Sequence, residues 1–413
     1  MTKKSDAPAI RFKGFSDAWE QRKLASLCEK FTDGDWIESK DQSDFGVRLV
    51  QTGNVGVAEY LDKPNNKKWI SEDTFDRLHC EEVLPGDILI SRLPEPAGRA
   101  CIVPLLGTKM ITAVDCTIVR TAPDMSNKFL VQYLSSQAYF DDVNTCLAGG
   151  TRQRISRGNL ANFNVPIPVK KSEQDAIGMF FGYLDNLITL HQRKFEKLTN
   201  VKKSMLEKMF PQNGSSYPEI RFKGFTDPWE QRKWINTVDI STNMVDPKSG
   251  KYDLLPHVAP GNIESFTGRL YDNVKLVGEE NLISGKFVFN VGDIVYGKIN
   301  PQLGKYVFAR FSGLTSADAY VLNAKNGIVQ KFLYAVIQTR DFYDYSVSVS
   351  KRSGMPKINR DELNAYSYWA PSESEQLKIG EYLLTLDHLI TLHQRELKKL
   401  QNIKKSMLEK MFV

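Results

Sequence analysis

The 27 residues Leu184–Phe210 return near the end of the chain as Leu386–Phe412, identical at 21 of 27 positions. A chain that carries one long segment twice must pair the copies or build one local unit two times. Stepped at alternating intervals of four and three, the first copy runs Ile188, His191, Phe195, Leu198, Lys202, Met205. The second runs Ile390, His393, Leu397, Leu400, Lys404, Met407. Apolar side chains on this period make an a/d seam, the stripe that one helix buries against another. With the apolar positions that precede it, back to Ile177 and Ile379, each seam predicts a helix of roughly 35–40 residues, about 50–60 Å long. The expected partner of each helix is the other. The polar seam positions recur in pairs, His191 as His393 and Lys202 as Lys404. They read either as groups that set register or bind something, or, as the preferred reading, as a partly wet seam with a snorkelling lysine. Ser172 with Asp175, and Ser372 with Glu375, fit a helix-start capping signal.

A second repeat frames the first. Ile10–Lys23, IRFKGFSDAWEQRK, recurs as Ile220–Lys233, IRFKGFTDPWEQRK, identical at 12 of 14 positions. Each half therefore runs from this opening motif through a long variable segment into a seam helix. Inside the variable segments Gly53-Asn54 answers Gly261-Asn262, and Gly86-Asp87-Ile88-Leu89 answers Gly292-Asp293-Ile294-Val295, a turn entering a strand. Lys128–Thr145 and Gln330–Ser346 read as one helix each. A nearly identical frame with divergent filling suits a molecule that reads two different things at a fixed separation.

At 413 residues the chain is too long for one ordinary core. No apolar run approaches a membrane span, and residues 1–9 read as a short disordered tail, not a signal peptide. The five cysteines (Cys28, Cys80, Cys101, Cys116, Cys146) are scattered and form no CxxC. That argues for reduced thiols in a cytoplasm, against disulfides and against a zinc site. No catalytic constellation and no metal-ligand set is found. Gly292–Lys298 matches part of a phosphate loop, but Ile299 stands where a magnesium-binding hydroxyl is needed and Pro301 where a helix should start, so strand and turn is the better reading.

The net charge of +6 is compatible with a nucleic-acid partner. More pointed are the basic loops. Arg152, Arg154 and Arg157 fall in six residues, and Lys351, Arg352, Lys357 and Arg360 occupy the matching place in the second half. Arg92 matches Lys298, and Arg99 matches Lys305. Such side chains on loops and strand edges suit phosphate and major-groove contacts. As a recurring set these eleven residues are the expected DNA-binding group.

These features together resemble the DNA-specificity subunit of type I restriction–modification systems. The resemblance rests on RFKGF…WEQRKL at Arg11–Leu24, the Gly-Asn and GDILISR-type segments, and the Ile-Ser-x-x-x-Leu…Ile-Pro stretch. Ser172-Glu173-Gln174 with its copy Ser374-Glu375-Gln376, and the doubled seam, complete it across nearly the whole chain. The resemblance implies an α+β protein with two target-recognition domains, residues 10–168 and 219–371, related by internal duplication. Between and after them, spacer helices 172–212 and 374–413 would form an antiparallel coiled coil, with a linker at 213–218. Each domain would read one half of an asymmetric two-part site in double-stranded DNA. Two methyltransferase subunits would dock on the helices, joined by restriction/translocase subunits. S-adenosylmethionine, ATP and magnesium would belong to those partners, leaving this chain non-catalytic, without cofactor and cytoplasmic. Trp369-Ala370-Pro371 departs from the Pro-Ile-Pro style of exit, and Met355-Pro356 interrupts the second basic loop. A coiled-coil adaptor that binds only proteins is the rival reading.

Overall fold

The computed structural model describes residues 8–149, 153–212, 214–351 and 354–412. Arg152, Arg352, linker residue Asn213 and most of the expected tail lie outside them. Both long helices form, as Lys171–Lys208 and Glu373–Met411. The chain divides into two compact units, and the division falls inside both helices instead of at their ends. The first unit holds everything described up to Leu190 together with the helix end from Leu397, and the second is His191–Glu396. Each unit is therefore one head, one half of the helix that follows the first head, and one half of the helix that follows the second.

That division corrects what the apolar stripe is for. In the first unit Ile177, Phe181, Leu184, Met411 and Phe412 are buried with Trp19, Leu24, Phe129 and Tyr139 of the head, and Leu400 and Met407 pack against them. The Phe412 ring lies 5.3 Å from Phe129 and 6.3 Å from Trp19. In the second unit Ile379, Leu383, Leu386, Met209 and Phe210 join Trp229, Trp234 and Phe332, with Leu198 and Met205 alongside. A 3.5-residue period says which face is apolar, not what meets it; much of this stripe meets a head.

Within each unit the two helix segments run antiparallel. In the first, Phe181 opposes Phe412 at 6.0 Å between rings, while Asp185 pairs with Lys404. In the second, His191 opposes His393 with Nδ1 atoms 3.2 Å apart, while Lys202 pairs with Asp387. Ile188, Phe195 and Ile390 are half-buried and Leu397 is buried, as the seam predicts. The snorkelling lysine is not found. The Lys202 side chain is only 10% exposed, and its ammonium lies 2.5 Å from Asp387 Oδ1 and donates to Gln338 Oε1.

Each head is built from the same three sheets. Glu20–Lys23 pairs antiparallel with Asn164–Ile167, and Glu230–Lys233 with Ser367–Ala370, so the opening motif is stitched to the exit strand. Behind these lie a four-stranded antiparallel sheet (Cys28–Asp33, Cys116–Thr121, Ile88–Ser91, Ala100–Ile102) and its counterpart (Val238–Ile240, Ala319–Ala324, Ile294–Gly297, Tyr306–Phe308). A mixed third sheet, of four strands in the first head and five in the second, completes each. The turns before Ile88 and Ile294 need Gly86 and Gly292, whose φ values are 95° and 94°, a region costly for other residues. Lys128–Thr145 and Gln330–Ser346 are broken helices, not single ones. Ser136 and Thr339 accept hydrogen bonds from Tyr139 N and Phe342 N, and such caps restart the helix in a new direction.

The opening motif is explained by one contact made twice. Arg11 grips Glu173 through Nε (2.6 Å) and a terminal nitrogen (2.8 Å), and Arg221 grips Glu375 at 2.8 Å through both. Both carboxylates are buried, so the two-pronged guanidinium is their compensation. Glu375 is thus occupied by Arg221, which corrects the expected capping role. The glutamines that follow tie each helix to its head: Gln174 Oε1 accepts from Ser126 N, and Gln376 Oε1 from Val329 N.

Candidate nucleic-acid interface

In the first head four segments converge at one sheet edge. Arg92 N donates to Asp115 O (2.9 Å), Ile155 N to Arg92 O (3.1 Å), and Gly34 N to Cys116 O (2.9 Å). The basic loop is closed at its base by paired main-chain bonds between Ala148 and Arg154. Two carboxylates organise the cations here. Asp33 accepts from Thr117 Oγ1 at 2.9 Å and faces Arg92 Nε at 3.5 Å and Arg157 Nε at 3.9 Å. Asp115 faces Arg154 at 3.9 Å. These last contacts are loose, and the Arg154 and Arg157 side chains are 61% and 47% exposed, so both cations remain available to an outside anion.

The second head repeats the backbone and changes the side chains. Lys298 N donates to Asp318 O and Ile358 N to Lys298 O, the same two ties that Arg92 makes. Among the described residues, neither Lys298 nor Arg360 at this edge is paired with an aspartate by a salt bridge. Instead the Lys298 ammonium and the Arg360 guanidinium lie over the Tyr320 ring, 5.4 and 5.6 Å from its centre. Arg360 also forks onto Ile240 O and Ser241 O at 2.8 Å each. Lys351 and Lys357 are exposed.

The expected DNA-binding set thus separates by burial. Arg99 is buried and donates to Thr52 O, Val55 O, Leu93 O and Pro96 O at 2.6–3.0 Å, which makes it the pin of its loop and not a reaching arm. Its counterpart Lys305 donates to Ile263 O in the same manner. Arg92 is 8% exposed and donates to Val114 O at 2.6 Å. Exposed arms are Arg154, Arg157, Lys351 and Lys357. The organising groups Asp33, Asp115 and Tyr320 escape a search for cations, since their role depends on which loops fold together. Among the described residues no group of three or more His, Cys, Asp or Glu is placed to hold a metal ion. What the arrangement offers is a basic, loop-borne edge on each of two heads, the design of a polyanion-reading protein.

The comparisons agree with that class. The family described as the type I restriction modification DNA specificity domain matches residues 16–200 and 239–402, and the chain belongs to it. The specificity subunit of the type I restriction enzyme EcoDI from Escherichia coli is 26% identical over 64% of this chain and 65% of its own length. The chain thus spans just under two thirds of that relative. The putative type I restriction enzyme MjaX specificity subunit from Methanocaldococcus jannaschii is 20% identical across 94% of this chain and 92% of its own. The crystal structure of the type I restriction–modification S subunit from M. genitalium superposes with a TM-score of 0.69 at 15% identity, covering 98% of this chain and 99% of that one. That likeness is one of fold, α+β with a duplicated head.

Proposed function

We propose that this chain is the DNA-reading subunit of a type I restriction–modification enzyme, each head reading one half of an asymmetric duplex site. The observation that carries this reading is the same backbone edge built twice with different side chains. Arg154 and Arg157 stand over Asp33 and Asp115 in one head, while Lys298 and Arg360 stand over Tyr320 in the other. Two copies of one edge with different chemistry are what two unlike half-sites require. Two methyltransferase subunits dock on the repeated helices, and restriction/translocase subunits join them. Adenine methylation with S-adenosylmethionine and cleavage with ATP and magnesium belong to those partners, and the assembly works in the cytoplasm. Among the described residues no helix is long and apolar enough to cross a membrane.

The test is a chimera. Trp234–Tyr368 is exchanged for the equivalent stretch of a related subunit, with junctions in the repeated frame. Mapping methylated adenines in cells should show one half-site changed, with the other half-site and the gap preserved. A chimera that alters both half-sites would refute two independent readers. A gel shift with random-sequence duplex, methyltransferase subunits present, separates this reading from a protein-only adaptor.

A further inference from the structure

We infer that Trp36 is a base-stacking contact of the first head, an aromatic element with no counterpart in the second. The inference rests on the DNA-reading function above and extends it to a residue that carries no charge. Of the six tryptophans, Trp19, Trp229 and Trp234 are buried and Trp69 and Trp369 half-buried, whereas Trp36 is 72% exposed. A single exposed aromatic is ordinary by itself. Three features of its setting are not.

First, its loop is held firmly. Gly34 lies so close to the Thr112–Ala113 turn that a Cβ there would come within 2.3 Å of Thr112 O, so only glycine fits. Asp35 N donates to Thr112 O and Val114 N to Asp35 O, both at 2.9 Å, and the Asp35 carboxylate accepts from Glu81 N at 2.8 Å. Second, the indole lies beside the Glu38 carboxylate, which Lys40 first and then the indole hold below the usual carboxylate range, while most of the ring surface stays open. Third, the loop begins at Asp33, the carboxylate that faces Arg92 and Arg157, and it abuts the turn that carries Asp115, the carboxylate that faces Arg154. An exposed aromatic on a firmly held loop beside loosely held guanidinium groups pairs a stacking surface with phosphate-binding cations, the combination by which proteins hold splayed or partly unstacked bases. In the second head the residues after Ile240 are Ser241, Thr242 and Asn243, none aromatic.

The experiment uses the full-length chain and a fluorescein-labelled pool of random-sequence duplexes enriched on that chain. Trp36→Ala should weaken binding about 5- to 100-fold, the range for one lost stacking contact, and Trp36→Phe should retain most of the affinity. Because no charge is removed, the salt dependence of Trp36→Ala should match that of the unaltered chain, whereas Arg154→Ala should reduce its slope by about one. Bound duplex should also shield from acrylamide the emission component that Trp36→Phe removes. Trp36→Ala binding the pool as tightly as the unaltered chain overturns the inference and leaves the DNA-reading function standing. If that variant instead binds DNA normally and fails to retain methyltransferase subunits on co-purification, Trp36 is a protein contact and the inference is likewise overturned. An unaltered chain that enriches no sequence, with or without methyltransferase subunits, removes the function itself, a result that involves no variant.

Discussion

Lys404 Nζ lies 2.6 Å from Asp185 Oδ1, and Lys202 Nζ lies 2.5 Å from Asp387 Oδ1. The two contacts are one contact made twice: Lys202 and Lys404 occupy the same position of the 27-residue repeat, as do Asp185 and Asp387. Each joins a lysine near the end of one helix to an aspartate near the middle of the other. Buried ion pairs add little net stability, but they penalise every register in which the charges fail to meet. That favours the register-setting role for the polar seam positions.

Lys202→Met should therefore destabilise the second unit strongly. It leaves Asp387, whose pKa is already raised by burial, without its cation, at a cost of about 3–5 kcal/mol. The double change Lys202→Met with Asp387→Leu should recover most of the loss while loosening helix register. A thermal melt of the single and double variants checks the first point. Cysteine cross-linking across the helices of the double variant checks the second.

Arg11→Lys should fail to replace Arg11. A lysine offers Glu173 one point of contact where the guanidinium offers two parallel bonds. Arg11→Ala, which strands a buried carboxylate, should cost about 3–5 kcal/mol. Denaturant titration should rank the three proteins with arginine highest and alanine lowest; a lysine variant as stable as the original would contradict the two-pronged reading.

Leu400→Glu should damage the first unit although Leu400 lies in the last helix, because that end packs against the core around Trp19 and Phe129. Leu198→Glu should damage the second unit by the same crossing. A carboxylate forced into either contact must ionise without water or stay protonated, and both are costly. Hydrogen exchange is the measurement: Leu400→Glu should deprotect amides of Phe129–Leu134 before those of Phe332–Ile337, and Leu198→Glu the reverse.

Arg99→Ala and Arg154→Ala should part company. The first removes four bonds to main-chain carbonyls and should cost stability by about 2–4 kcal/mol, since those buried acceptors lose their donor. The second removes an exposed side chain and should leave the melting temperature nearly unchanged while weakening duplex binding. Equal effects of the two on stability would mean that burial does not sort these arginines.

Burial pushes the thiols of Cys28 and Cys101 up to about 12, and those of Cys80 and Cys116 up to about 11. A thiol raised in the folded state contributes stability that is complete below its ordinary pKa of about 8.5. That contribution is lost as pH rises through about 11 to about 12. At pH 8 a thiol reagent should thus reach buried Cys80, Cys101 and Cys116 only as the protein unfolds. Rapid labelling of Cys101 in the native protein would count against this.

Much of the frame was legible because repetition is a property of sequence alone. The doubled seam gave both helices, and the glycines before Ile88 and Ile294 marked the turns into strands. Burial was not legible. Arg99 and Arg154 are the same residue type on neighbouring loops, and nothing in their spacing tells that four carbonyls close around one and none around the other. Nor does the sequence tell that Asp33 and Asp115, 82 residues apart, would organise cations on a single edge.

By itself, then, the sequence determined that there are two units of one design, two long helices with an apolar face, and a frame held constant around divergent loops. Periodicity and identity are local quantities, and they survive without knowledge of what touches what. Only the tertiary structure decided that each helix is shared between both units. It also decided that the seam lysines are ion-pair partners, Lys202 buried and Lys404 half-buried, and that the basic residues divide into internal pins and exposed arms. Those outcomes depend on the free energy of burying a charge, which is set by the carbonyls and carboxylates that folding brings from distant parts of the chain.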